Sequence, residues 1–264
     1  MFATDARAEF RRLHESGCFV MPNVPDVGSA RLLGAVGFAA LATTSSGFAA
    51  TLGQRDMTVT RDQLVAHVTA VAGSTIVPIS VDAERCFAAD PAGVAETVDL
   101  LAAAGAAGCS IEDWDPDAGG IDPEDVAVER VAAAAAAAHA HGMVLTARCE
   151  HHIRGVDDLD GTVRRLEAYR DAGADAVFAP GIMDVDRVRR VVAVGIPVNV
   201  LVLPNGPTVA ELAAVGVRRI SVGGMLTWTM YGALVAGARH LLDHGTLDTT
   251  LPLVDRELMK AAFS

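Results

Sequence analysis

The stretch Leu101-Ala-Ala-Ala-Gly105-Ala-Ala-Gly108-Cys-Ser-Ile111-Glu112-Asp113 contains the unit from which the whole chain is built. A run of good helix formers ends, a glycine sits just past it, a short apolar strand follows, and acids close the strand. A glycine past a helix end supplies the left-handed backbone position that stops the helix. A brief apolar run between helical segments reads as a strand buried on both faces. The order of helix end, glycine and strand recurs at Gly142, Gly173, Gly195 and Gly216. Working outward from these units, the expected strands are Cys18–Met21, Ala39–Thr43, Ile76–Val81, Gly108–Ile111, Val144–Ala147, Ala176–Ala179, Val198–Leu201 and Arg219–Val222. Helix entrances lie between them. Thr60-Arg-Asp-Gln63 carries a capping-box pattern, and Asp90-Pro91, Asp122-Pro123 and Pro207-Thr208 place a cap or a proline at helix starts. The run Val131–Ala138 is a strong helix former.

Alternating short strands and helices imply an α/β protein with a parallel sheet. Eight such units in 264 residues fit a closed (β/α)8 barrel, for which about 250 residues is usual. A doubly wound open sheet is the competing architecture. Residues 1–264 are expected to form a single catalytic barrel domain, with 247–264 as an extension after the last barrel helix.

Composition narrows the function. The formal charge is −12, from 33 acidic and 21 basic residues, and an acidic surface repels nucleic-acid backbones and anionic membranes. The same charge opposes an anionic substrate unless the site itself carries a cation. Cys18, Cys86, Cys109 and Cys149 are widely spaced without a CxxC pair, as expected of reduced thiols in the cytoplasm. Met1 to Glu15 is charged and has no apolar centre, so no signal peptide is expected, and the longest nearly uncharged stretch, Val131–Ala138, is too short to span a bilayer.

Barrel enzymes place their chemistry at the C-terminal ends of strands and in the loops that follow. Those positions hold Thr44-Ser45-Ser46-Gly47, then Asp82-Ala83-Glu84-Arg85, Glu112-Asp113 and Arg148-Cys149-Glu150, with Asp56 in the long second loop. Carboxylates converging on one rim repel one another unless a cation neutralises them. Oxygen donors without His or Cys suit a hard ion, Mg2+ with Mn2+ as the alternative. Arg148 would present a guanidinium fork to an anionic substrate. The competing reading makes these acids helix caps and rim salt bridges.

At this point the chain resembles the isocitrate lyase/phosphoenolpyruvate mutase superfamily over nearly its full length. The resemblance rests on Ala40–Gly47, Leu52–Asp56, Pro78–Glu84, Gly108–Asp113, Thr146–Glu150, Ala172–Gly181 and Gly216–Gly224, taken together in order and spacing. It implies a barrel with Mg2+ at its C-terminal mouth. Asp82 matches the direct metal ligand, and Asp56, Glu84 and Glu112 match acids that hold metal-bound waters. Ser45, Ser46 and Gly47 lie in the loop that holds the substrate carboxylate, and Arg148 matches an arginine that steadies substrate and enolate. The implied reaction is Mg2+-dependent cleavage of a C–C bond in a small 2-hydroxy or 2-oxo (di)carboxylic acid, through a pyruvate-like enolate. Alternatives are P–C chemistry of the phosphonomutase or phosphonopyruvate hydrolase type, and a non-catalytic ligand-binding barrel. A homo-oligomer, tetramer or dimer, is also implied, with a C-terminal helix exchanged between subunits.

The departures bear on substrate. Trp114–Pro123 contains no Cys, Lys or His, so it lacks both the cysteine signature of isocitrate lyases and the gating lysine of the mutases. Where many relatives read Gly-Tyr-Gly after the acid pair, this chain reads Arg85-Cys86-Phe87. Arg85 is therefore a candidate second cationic contact, and Cys86 a candidate proton donor. Cys149 should point away from Arg148 and Glu150 by strand alternation. His151 and His152, on an extended segment, should point apart as loop histidines. Asn199 on strand seven is a candidate substrate contact. Gly223-Gly224 is either a phosphate loop or a close packing of helix on strand.

Overall fold

The computed structural model describes residues 3–248, 250 and 252–264. Its frame is a parallel barrel of eight strands in sequence order. β1 (Phe19–Val20, resuming as Asn23–Val24) is followed by β2 (Leu41–Thr43), β3 (Ile79–Asp82) and β4 (Gly108–Glu112). β5 (Val144–Arg148), β6 (Ala176–Phe178), β7 (Val198–Leu201) and β8 (Arg219–Ser221) complete it. The break at Met21-Pro22 closes the barrel. Phe19 and Val20 pair with Arg219 and Ile220 of β8, whereas Asn23 and Val24 pair with Ala42 and Thr43 of β2. One strand thus serves both edges, leaving no open sheet edge.

The expected strands all form, with shifts at their ends. The third begins at Ile79 rather than Ile76, because Pro78 has no N–H to pair. The segment after β2, read as a loop, is a short helix, Ser45–Thr51, capped by Thr44. Thr60 and Gln63 make the anticipated capping box, and Asp90 caps the helix that Pro91 opens. Asp122 does not cap the next helix, since Pro123 occupies that position and the Asp122 carboxylate is engaged by Arg85. The five unit-ending glycines all have φ between 70° and 103°.

Alternation along the strands sorts the side chains. Val81, Cys109, Ile111, Leu145, Ala147, Val177, Val200 and Ile220 face outward and form the main apolar core with the surrounding helices. The alternate positions face the barrel axis and are strongly polar: Ser80, Asp82, Ser110, Arg148, Asn199, Arg219 and Ser221 line one interior cavity. The N-terminal end is closed by Phe10 of the first helix (Ala3–Leu13), packed with Met21, Ala40, Ala107 and Val144. Gly108 permits this plug. A Cβ there would lie 2.7 Å from the Phe10 ring and 2.7 Å from the Val144 carbonyl oxygen.

The last barrel helix, Met225–His244, buries only Thr227 and Gly237 and leaves Leu226, Trp228, Leu234 and Leu242 exposed. The final helix, Arg256–Phe263, packs on Val27–Val36 of its own barrel. Among the described residues no helix is long and apolar enough to cross a membrane.

Candidate active site

The interior cavity opens at the C-terminal ends of the strands and has a volume of about 210 Å3. Drug-sized pockets run from roughly 300 Å3 upward, so this one suits a ligand of a few carbons. Asp82, Arg148, Ser45, Ser46, Asp56 and Asn199 all line it, as expected from the sequence.

Arg148 is the hub. Register places Glu112 directly beside it and Phe178 on its other side, with the guanidinium carbon 5.3 Å from the Phe178 ring centre. Its Nη1 donates to Asp82 Oδ1 at 2.9 Å and lies 3.1 Å from Glu112 Oε2. Nε and Nη2 both donate to Glu150 Oε1, at 3.1 and 2.9 Å. One cation therefore serves three carboxylates with a side chain 15% exposed. Burial alone would lower the pKa of Arg148, but Glu150, Glu112 and Asp82 outweigh it and raise the pKa. Glu112 is pushed well above the carboxylate range by burial, partly offset by Arg148.

Asp82 is fixed from three sides. Its Oδ2 accepts from the Ser45 N–H at 3.0 Å, its Oδ1 from Arg148, and its own N–H donates to Thr43 Oγ1 at 2.9 Å. Burial, then Asp82 and Asp56, raise the Glu84 pKa to about 8. Burial and then Asp82 raise that of Asp56. The acids are thus crowded on one side of Asp82 without enough positive charge. Among the described residues no three acids, cysteines or histidines close round a common point. The donor chemistry nevertheless fits a hard divalent cation, because all the donors are oxygens and their mutual repulsion is unrelieved.

Other expectations need correction. Cys86 is fully buried, its thiol is pushed up to about 12 by burial, and it does not reach the interior cavity. Arg85 does not line that cavity either. Its Nε and Nη2 donate to Asp122, both at 2.9 Å, and Nη2 lies 3.3 Å from Asp115. Arg85 thereby ties β3 to a small hairpin, Trp114–Asp115 with Gly120–Ile121, which Arg154 covers at 4.0 Å from the Trp114 ring centre. Glu84 borders a neighbouring depression with Arg85 and Asp115, and stays within electrostatic reach of Asp82 and Asp56. Gly47 donates its N–H to Thr44 Oγ1 as part of the helix cap, and does not line the cavity. His151 and His152 do not diverge, because the segment turns there, and Nδ1 of one and Nε2 of the other both meet Thr162 Oγ1. Cys149 points into the core as alternation required.

The Arg85-Cys86-Phe87 departure has a structural counterpart. Glu84, Cys86 and Phe87 hold φ of 49°, 59° and 52°, a region that favours glycine. Arg130, buried in the helix Glu124–Ala140, supports this turn by donating to the carbonyls of Arg85, Ala88 and Ala89. Sequence reading also missed Asn23, which staples the barrel seam. Its Nδ2 donates to the Thr43 carbonyl, and its Oδ1 accepts from Val222 and Gly223 N–H. Asp113, read with Glu112 as a rim acid, is a brace. It accepts from Tyr169 O–H, Arg165 and the Glu150 N–H, so it fixes the end of β5. A carboxylate following directly on an inward-facing acid points outward, and that alternation could have identified it.

A polar barrel interior with an arginine–acid cluster at its mouth is the architecture of a (β/α)8 enzyme. Comparison with known proteins gives the family. The profile of the phosphoenolpyruvate phosphomutase family matches residues 10–242, and the chain belongs to that family, within the isocitrate lyase/phosphoenolpyruvate mutase superfamily. A protein of Burkholderia cenocepacia J2315, described as a candidate lyase/mutase, has a crystal structure that superposes with a TM-score of 0.93. It is 43% identical over 99% of this chain and 97% of its own. An uncharacterised protein of Mycobacterium tuberculosis is 33% identical over 250 residues, 93% of each chain. Oxaloacetate decarboxylase of Chromohalobacter salexigens is 30% identical over 232 residues, 83% of this chain and 79% of its own.

Proposed function

We propose that the protein is a Mg2+-dependent lyase that cleaves a C–C bond in a small 2-hydroxy or 2-oxo acid by way of a pyruvate-like enolate. The observation that carries this reading is the arrangement at the mouth of one small cavity. Asp82 and Arg148 lie 2.9 Å apart there, beside acids whose charge is not balanced. Asp82 would hold the ion, with Asp56, Glu84 and Glu112 around it. The ion would supply fixed positive charge where the enolate oxygen develops, the largest single contribution such a site makes.

The chain's own residues do the rest. Arg148, already oriented by Glu150, whose own N–H is held by Asp113, places a second positive charge over the same position. The hydroxyls of Ser45 and Ser46 border the cavity where a carboxylate can accept from them. Phe178 and Leu201 line the walls and keep water away from the nascent carbanion. The likeness to an oxaloacetate decarboxylase supports C–C chemistry on a 2-oxo acid. The hairpin beside Glu84 and Arg85 supports it too, since it brings Asp115 and Asp117 and no lysine, which suits a phosphonate dianion poorly. The exposed apolar side of Met225–His244 supports a homo-oligomer.

The test is turnover by the purified protein over a panel of 2-oxo and 2-hydroxy acids that includes oxaloacetate, with Mg2+ and with EDTA. Pyruvate, oxalate or a matching aldehyde should appear only with Mg2+, and Asp82→Ala should abolish it. Turnover and Mg2+ dependence unchanged in Asp82→Ala would overturn the reading.

A further inference from the structure

Arg219 is the cation in the cavity that no carboxylate neutralises. Its residue is 3% exposed, it projects from β8 into the barrel interior, and it lines the same cavity as Arg148. Arg148 has three carboxylates within 3.1 Å. Among the described residues Arg219 has none within ion-pair distance. Its partners are neutral: Nε donates to Asn199 Oδ1 at 2.9 Å, and Nη1 approaches His14 Nε2 at 3.5 Å.

His14 cannot share the charge. Its Nδ1 lies 2.8 Å from the Phe10 carbonyl oxygen, which can only accept, so Nδ1 carries the proton and Nε2 offers its lone pair to Arg219. Burial, then the charge of Arg219, depress the His14 pKa to about 4, so the ring is neutral at ordinary pH. Asn199 is itself oriented, because its Nδ2 donates to Ser221 Oγ at 2.9 Å. A guanidinium held by an oriented amide and a fixed imidazole is well placed for recognition. Burying it without a counter-charge is costly, and burial followed by repulsion from Arg148 lowers its own pKa to about 9. A ligand anion entering the cavity removes both costs.

We infer that Arg219, with Asn199 and Ser221, forms a subsite inside the barrel for the second anionic group of a dicarboxylate, whose reacting end lies at Asp82 and Arg148. This rests on the lyase reading above and narrows its substrate from 2-oxo or 2-hydroxy acids in general to short dicarboxylates. A monocarboxylate would leave the Arg219 charge unmatched. The subsite acts on binding and does not take part in bond cleavage.

The experiment is calorimetric titration of the full chain in Mg2+ with malate and with its C4 monoamide, a pair equal in size and different in one charge. Wild-type protein should bind malate at least about tenfold more tightly, as a charge-assisted hydrogen bond provides. In Arg219→Met the two ligands should bind within about threefold of each other, with malate losing more affinity than the amide. Arg219→Lys should retain part of the preference. Equal affinity of wild type for both ligands overturns the subsite and needs no variant, so a poorly folding Arg219→Met leaves the test intact. Equal weakening of both ligands in Arg219→Met overturns it as well. If the amide binds in a Mg2+-dependent way but the second charge adds nothing, only the subsite falls. If neither ligand binds, the lyase reading falls with it.

Discussion

Replacing Glu84 by Gln should stabilise the metal-free protein, and increasingly so at higher pH. Glu84 is a buried residue, and burial, Asp82 and Asp56 raise its pKa from 4.5 to about 8. A carboxyl whose folded pKa lies above its unfolded value holds its proton more tightly in the native state. Its contribution to stability is fully present below about pH 4.5 and is lost as pH rises toward about 8. At about 1.36 kcal/mol per pH unit, a rise of this size caps the loss at roughly 5 kcal/mol. Rearrangement of Arg148 and entry of water would reduce it to about 1–3 kcal/mol. Glutamine matches the protonated acid in shape and never ionises. Urea unfolding in EDTA at pH 5 and pH 9 should therefore give nearly equal stabilities at the lower pH, and a more stable variant at the higher. Saturating Mg2+ should stabilise both proteins, which keep Asp82, but the wild type more, so that the gap at pH 9 narrows, since only in the wild type does the cation also relieve the Glu84 repulsion. A difference between the two proteins that stays flat from pH 5 to pH 9, or a variant less stable at pH 9, would refute the charge-crowding argument.

Two further substitutions probe the frame of the site. In Gly47→Ala the new Cβ would lie 2.5 Å from Thr44 Cγ2 and 2.6 Å from Thr227 Oγ1, so the helix cap beside Asp82 must shift. A loss of about 1–3 kcal/mol is expected, read as a lower midpoint in thermal unfolding, and an unchanged midpoint would show that the contact relaxes freely. Cys86→Ala should leave kcat and KM of the lyase reaction unchanged, because the thiol is buried away from the interior cavity. A large fall in kcat with intact stability would reinstate it as a proton donor.

The fold was readable because each unit repeats the same local physics. Glycines such as Gly105 and Gly173 must adopt φ near 100° to end a helix, and the strands that follow are short and apolar enough to be buried. The site was readable in part. Asp82, Asp56, Ser45, Ser46, Asn199 and Arg148 line the cavity where their positions after or within the strands placed them. Arg85 and Arg130 were less accessible, since their partners are the Asp122 carboxylate and backbone carbonyls brought close only by tertiary folding. Asn23 closes the seam between the first and last strands, nearly the whole chain apart, and no local pattern reports that. Arg219 opens a strand read only as buried on both faces, although alternation from Ser221 would have turned it inward.

The account depends on a cation displacing Arg148 from Asp82. A crystal structure of the protein grown with Mg2+ and oxalate tests it most directly. One ion should contact an Asp82 carboxylate oxygen and the oxalate, with Arg148 Nη1 released from Asp82 Oδ1. An Asp82–Arg148 pair that keeps its 2.9 Å contact, with no ion at Asp82 in saturating Mg2+, would contradict it.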